Sequence, residues 1–350
     1  MKRRKRMLAE ILEDNAGLDR NPEFRGTWMR AWWMNVGDTD ARLELRETPV
    51  PQPGPRQMLV RVRAAGLNRG EFIVGGLVKA GSSKAMGIEG AGEVVQVGSE
   101  VTRFRAGDRV MGRFPGALAE QVLADEAQAM AVPANLSWEE AGGLPTTYMV
   151  AHDMLLLQGG LQAGGWLLVT GVSAGVGVAA LQIAKAIGAR VIGTSGSREK
   201  LEKLRAQGLD VGLCTRRPDF HAQVMDATGG AGVNLVVNNV GGSVFAECVR
   251  CLAFEGRLAT VGYVDKVLQA EIDLQALHAK RLVLFGVSQK MTSPAQKAEG
   301  TQRFVQDMLP LVASGKLRPL IDRRFSFDDV PAARARMEAD AHLGKIVIAV

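Results

Sequence analysis

The feature that most constrains this chain is a turn of small residues, Gly171-Val172-Ser173-Ala174-Gly175-Val176-Gly177, set between an apolar run and a helical pattern. Leu167-Leu168-Val169-Thr170 reads as a buried strand before it, and Val178 to Lys185 as a helix after it, closing at Gly188. A strand that opens through glycine into a helix returns along its sheet to a parallel neighbour, which commits the region to an α/β architecture. The same alternation continues downstream. Arg190-Val191-Ile192-Gly193 is a second strand, Arg198 to Gln207 a helix stopped by Gly208, and Leu235 to Asn238, Arg257 to Val261 and Leu282 to Phe285 are later strands. Such units assemble into a Rossmann-like, doubly wound parallel sheet of about six strands.

The chemistry of that turn suits a dinucleotide. Small residues let the backbone approach a pyrophosphate, and the helix beyond presents unpaired N–H groups and the positive end of its dipole. The spacing departs from the usual G-x-G-x-x-G, because Val172 and Ala174 hold its first two glycine positions, and a tight turn made for packing is the other reading. The flanking strand and helix favour cofactor contacts from Gly171, Ser173, Ala174, Gly175, Val176 and Gly177. An NAD site would place Asp or Glu at the end of the second strand to hold the ribose hydroxyl. Thr194-Ser195-Gly196-Ser197-Arg198-Glu199-Lys200 stands there instead. Ser195, Arg198 and Lys200 suit a 2′-phosphate, so the expected cofactor is NADPH; otherwise Arg198 and Lys200 form a solvated first helical turn.

The chain has 350 residues, 47% of them hydrophobic and 23% charged, which excludes disorder and suffices for two cores. Residues 29–150 are patterned as strands and turns. Val60-Arg61-Val62-Arg63 alternates as a half-buried strand, and Gly90 to Gly98 and Ala106 to Gly112 read as short strands joined by glycine turns, together a compact, barrel-like β-domain. Residues 1–28 read as an N-terminal extension. Its run Lys2-Arg3-Arg4-Lys5-Arg6 supplies five positive charges of a chain whose net charge is +6, so it reads as a solvated tail rather than a nucleic-acid contact. Met7, Leu8, Ile11 and Leu12 behind it recur at helical spacing, and Glu10, Glu13 and Asp14 argue against a transit peptide. No apolar stretch approaches the ~20 residues that span a bilayer and no secretory segment is evident, so the expectation is a soluble, cytoplasmic protein without membrane contact. Three cysteines, Cys214, Cys248 and Cys251, build no disulfide framework.

From Met29 to Val350 the chain resembles the medium-chain dehydrogenase/reductase superfamily, and within it the zinc-independent quinone oxidoreductases. The matching motifs are Ala64-Ala65-Gly66-Leu67-Asn68, Gly87-Ile88-Glu89-Gly90-Ala91-Gly92-Glu93-Val94, Ala106 to Val110, the Gly171 to Gly177 turn, Val240-Gly241-Gly242 and Gly344-Lys345-Ile346-Val347. The resemblance implies a GroES-like substrate domain formed by residues 29–150 and 290–350, a dinucleotide-binding domain at 151–289, and an active site in the cleft between them. Phe325 to Phe327 and Lys345 to Val350 can then supply strands to the first domain. It further implies that Asn239, Val240, Gly262, Tyr263 and Phe285 line the cofactor, and that the amide of Asn68 faces the nicotinamide; an Asx-turn for Asn68 and plain packing for Tyr263 stay open. Relatives commonly pair the final strand of the parallel sheet about a two-fold axis, so a homodimer through Leu282 to Phe285 is expected.

Zinc-using members of the superfamily carry a cysteine where Asn68 stands and a histidine where Ile88 stands. Ile88 has no lone pair and Asn68 is a poor zinc ligand, so no metal is expected. Cys248 and Cys251 have half the spacing of a zinc or redox site without a second pair, and read as packing. His152, His221, His278 and His342 show no acid–base spacing and read as structural or solvated. Enoyl-thioester reductases of the superfamily carry a tyrosine proton donor in the segment that here holds Gly75-Gly76-Leu77-Val78. The expected function is therefore zinc-independent hydride transfer from NADPH to a small-molecule quinone or other conjugated carbonyl. An alkene reductase acting on enones or enoyl thioesters, and a catalytically silent NADPH-binding protein, are the alternatives.

Overall fold

The computed structural model describes residues 27–37, 41–72 and 81–350. The basic run, the helical pattern behind it and Gly75 to Val78 lie outside the described residues.

Eight strands come first: β1 (Trp28–Val36), β2 (Ala41–Pro49), β3 (Gln57–Gly66), β4 (Ser83–Ala85), β5 (Gly90–Val97), β6 (Arg109–Gly112), β7 (Gln121–Asp125) and β8 (Ala129–Ala131). In β3 the alternation acts as patterned, with Val60 and Val62 buried and Arg61 and Arg63 exposed. Six more strands, β9 (Trp166–Thr170), β10 (Arg190–Ser195), β11 (Val211–Cys214), β12 (Val233–Asn238), β13 (Leu252–Thr260) and β14 (Val283–Gly286), form one parallel sheet in the order β11-β10-β9-β12-β13-β14. Its residues are apolar on both faces because helices cover both. Leu167, Val169, Val191, Leu235 and Val237 enter one core, while Leu168, Ile192 and Val236 enter the other. β11 is short and mostly half-exposed, too weakly patterned for the sequence to single out.

Two late strands, β15 (Ile321–Ser326) and β16 (Lys345–Ala349), leave this sheet and join the first domain's. β15 and β16 pair in parallel, and β16 pairs antiparallel with the end of β3, matching Val347 to Gly66 and Ile348 to Ala65. The seven-stranded sheet runs β15-β16-β3-β5-β6-β8, with β7 also on β3. Phe327, expected in a strand, instead opens a short 3₁₀ turn, where it is buried and its carbonyl accepts from Trp32 Nε1 at 2.7 Å. Five helices position the site: α1 (Pro145–His152), α2 (Gly175–Ala186), α3 (Arg198–Arg205), α4 (Phe245–Arg250) and α5 (Val330–Glu338), which links β15 to β16. α2 stops where Gly188, at φ +84°, takes the left-handed conformation that a side chain disfavours. Among the described residues no helix is long and apolar enough to cross a membrane.

Candidate active site

Two adjoining cavities lie where the chain's final segment meets the parallel sheet. The first, about 350 Å³, opens at the ends of β9, β10 and β12, where the strand order reverses direction. Gly171, Ser173, Ala174, Thr194, Ser195, Asn239 and Val240 line it. Asn239 is fixed by donating Nδ2–H to Thr170 O at 3.0 Å, and Asn238 Oδ1 accepts from the N–H groups of Val240 and Gly241. The glycine turn is tied to the other domain, for Gly344 N donates to Ser173 O at 2.9 Å.

The residues present fit a dinucleotide. α2 is twelve residues long and its N-cap is Ala174, which has no side-chain acceptor, so its first-turn N–H groups are left for an anion at the cavity wall. Ser195 is almost fully buried, with its hydroxyl 3.3 Å from that of Ser173, at the end of β10 where a carboxylate would repel a phosphate. Arg216 crosses the turn after β10: a Cβ on Gly196 would fall 2.1 Å from its Nε. Arg69, Lys200, Arg216 and Arg217 make this end of the cavity cationic, with Asp340 among them. Asp340 pairs with Arg69 at 2.5 Å and faces Arg216 at 3.6 Å. Lys200 Nζ donates to the carbonyls of Asp340 and His342 at 2.5 and 2.7 Å.

The second cavity, about 450 Å³, continues from the first and has largely apolar walls that include Leu67, Val150, Val176, Val261, Val287 and Ile346. Its polar floor is a buried cluster. Asn68 Nδ2 donates to Glu89 Oε1 at 2.9 Å, and Asn68 Oδ1 accepts from Lys345 Nζ at 2.5 Å. Lys345 pairs with Glu89 at 2.5 Å, and both side chains are shielded from solvent. The second carboxylate oxygen of Glu89 accepts from Thr146 N at 2.6 Å, capping the first turn of α1. Glu71 accepts from the backbone of Asn68 and Gly87. Burial pushes the Glu71 carboxyl up to about 7, against the opposing pull of Asn68 and Lys345.

Several residues expected at the site hold other positions. Arg198 is exposed on the first turn of α3 and does not line either cavity; Arg216, after β11, lines the first cavity with Lys200. Phe285 packs into the core beneath the sheet, because one face of β14 is turned to that core, and it lines neither cavity. Gly177 is a packing glycine: a Cβ there would sit 2.7 Å from Val172 Cα and O. Gly175, Val176, Gly262 and Tyr263 line the second cavity, with Tyr263 half exposed at its edge. Asn68 lines it too, but both ends of its amide are engaged by Glu89 and Lys345.

His342 was legible only as a scattered histidine, yet it lines both cavities. Burial, then Arg69 and Lys200, push its imidazole down to about 4, and its Nδ1 is buried without a partner among the described residues. The signal that could have found it is its place two residues before the Gly344-Lys345 motif. Cys248 and Cys251 are buried, and burial raises both thiols, Cys251 to about 12, so neither is a thiolate. Among the described residues no three His, Cys, Asp or Glu side chains converge to hold a metal ion.

The chain is similar to known proteins along most of its length. Residues 54–158 match the family model described as alcohol dehydrogenase GroES-like domain, and residues 175–306 the model described as zinc-binding dehydrogenase. A candidate alcohol dehydrogenase from Sinorhizobium meliloti is similar in structure, with 31% identity and a TM-score of 0.81 over 93% of this chain and 99% of that one. A mycobacterial protein solved in complex with NADPH is 26% identical, with a TM-score of 0.82 over 92% of this chain and all of the other. A quinone oxidoreductase of Pseudomonas syringae gives 26% and 0.80 over the same shares. Among curated relatives, a phenolphthiocerol/phthiocerol polyketide synthase of Mycobacterium tuberculosis is 33% identical over 317 residues, 90% of this chain. The chain spans only 12% to 14% of the length of such relatives.

Proposed function

Because this chain belongs to the medium-chain dehydrogenase/reductase superfamily and is an oxidoreductase of that fold, we propose that it is an NADPH-dependent, zinc-independent reductase of a quinone or another conjugated carbonyl. The observation that carries the reading is the adjacency of the two cavities, one cationic and rich in N–H donors, the other apolar with a buried Asn68–Lys345–Glu89 floor. Bound along the first cavity, NADPH would supply a hydride to whatever the second one holds. The first-turn N–H groups of α2 would hold the pyrophosphate, and Ser195, Lys200 and Arg216 would meet the 2′-phosphate. Asn239, Val240, Gly262 and Tyr263 border the path of the nicotinamide end.

The apolar walls suit a flat, delocalised acceptor, whose developing negative charge needs few donors and no Lewis acid. Asn68 and Ile88 leave zinc no ligand pair, so extensive chelation is expected to leave turnover unchanged. The similarity to a quinone oxidoreductase supports the quinone, and the similarity to polyketide synthases favours a second reading in which the acceptor is an enoyl thioester. The edge position of β14 in the parallel sheet supports a further part of the proposal, a homodimer joined through that strand. The test is NADPH oxidation against a panel of quinones, enones and enoyl thioesters, with NADH in parallel. Turnover of a quinone or enone with preference for NADPH is expected. Tight NADPH binding without oxidation by any member of the panel would replace the reading with that of a silent cofactor-binding protein.

A further inference from the structure

Hydride addition to a conjugated carbonyl sends an electron pair to oxygen, and the product then needs a proton. The chain's own residues around the second cavity can be sorted by whether they supply one. Arg113 lines the cavity and contacts Gln289, but a guanidinium does not give up its proton. Tyr263 stands half exposed at the edge. His342 is neutral near pH 7 and adjoins the cationic end, beside Arg69 and Lys200. Asn68 cannot donate a proton and spends its amide on Glu89 and Lys345.

Lys345 differs from all of these. An ammonium has three N–H bonds; that of Lys345 donates to Asn68 Oδ1 and pairs with Glu89 Oε1 at 2.5 Å, and among the described residues it meets no third acceptor, although Lys345 lines the cavity. The lysine is held in a built site. A Cβ on Gly143 would come within 3.0 Å of Lys345 Cγ, and one on Gly66 within 2.5 Å of Glu89 Oε1, so these two glycines make the room in which the pair is buried. Glu89 is in turn pinned by Thr146 N, and Asn68 by Glu71.

We propose that Lys345 is a catalytic residue of the reduction, its third N–H holding the substrate's carbonyl oxygen and giving that oxygen its proton as hydride arrives. The inference rests on the reductase reading above. The balance is simple: the hydride carries two electrons from the dihydronicotinamide to the electrophilic carbon, the C=O or conjugated π pair moves to oxygen, and the O–H bond forms as an N–H bond of Lys345 breaks. Water restores the ammonium after the product leaves. The charged and titratable groups facing Lys345 are Glu89 and Glu71 within the cluster, and Arg69, Arg113, Tyr263 and His342 around the same cavity.

The test uses the whole chain loaded with NADPH and three variants: Lys345→Arg, Lys345→Met, and Lys345→Met combined with Glu89→Gln, which leaves no unpaired buried charge if the single change fails to fold. Each is first shown to bind NADPH as the wild type does. The expected result is a loss of kcat of about 100-fold or more in every folded variant. A second readout needs no turnover: 4-nitrophenol, a stand-in for the oxyanion whose absorbance reports its ionisation, is titrated into the NADP⁺-bound protein. The wild type should hold it as the phenolate at lower pH than either methionine variant does. Variants that keep kcat within about threefold, or a bound phenol that titrates alike with and without Lys345, overturn the proposal. A Lys345-dependent phenol shift in a wild type that reduces no acceptor would instead sink the reductase reading and leave Lys345 as an oxyanion site.

Discussion

On the proposed reading, single residues decide which cofactor and which proton this site takes. Arg216 and Arg198 separate the tertiary arrangement from the sequence pattern, since both are cations near the end of a strand and only Arg216 borders the cavity. Arg216→Ala is expected to weaken NADPH binding by roughly tenfold while leaving NADH nearly unchanged, and Arg198→Ala to alter neither. Fluorescence titration with both cofactors checks this, and equal losses for both would remove Arg216 from the phosphate. Glu71 contributes one pH dependence. Its folded carboxyl, raised to about 7 from an ordinary 4.5, binds its proton more tightly than the unfolded chain does. The stability it contributes is therefore fully present below 4.5 and is lost as pH rises through about 7. Glu71→Gln abolishes that loss, so the melting temperature of the variant should gain on the wild type between about pH 5 and about pH 8. A constant difference would show that Glu71 is not protonated in the fold. Asn68 and Lys345 stood in motifs visible in the sequence, but their mutual bond crosses 277 positions and no local pattern encodes it.

Elements were legible where their periodicity was complete. The β9-turn-α2 unit is readable because its strand is apolar up to Thr170 and its helix ends at glycine, whereas β11 lacks a pattern and with it the position of Arg216 is hidden. The turn itself depends on one close approach. Gly177→Ala would drive a methyl against Val172 Cα and O, costing about 1–3 kcal/mol by overpacking and tilting the start of α2 away from the pyrophosphate. Denaturant unfolding together with NADPH titration checks both effects; a variant as stable and as tight as the wild type would mean that the turn relaxes freely. Phe285 illustrates the opposite error. In β14 alternate residues face opposite cores, Phe285 toward one and Leu284 toward the other, so an apolar residue at a strand end is core as readily as it is cofactor wall.

At the scale of the whole molecule, β14 is an edge of the six-stranded sheet among the described residues, and Val283 is exposed on it. The proposed homodimer would pair this strand with its copy about a two-fold axis. Val283→Pro, which removes a donor, and Leu284→Lys, which puts charge at the contact, are expected to give monomers or poorly folded protein. Sedimentation of the native chain as a monomer across micromolar concentrations would rule the pairing out. The sequence by itself determined the strongly patterned elements and the residue types they carry, because hydrophobic period, glycine turns and the lack of a carboxylate after β10 act over a few neighbouring residues. Only the tertiary structure decided that β16 returns to β3, bringing Lys345 under Asn68 and Glu89, and that Asp340 and His342 stand against the cationic end of the first cavity. Those contacts join segments hundreds of residues apart, and they exist because an edge of the first sheet remains open until the end of the chain closes it.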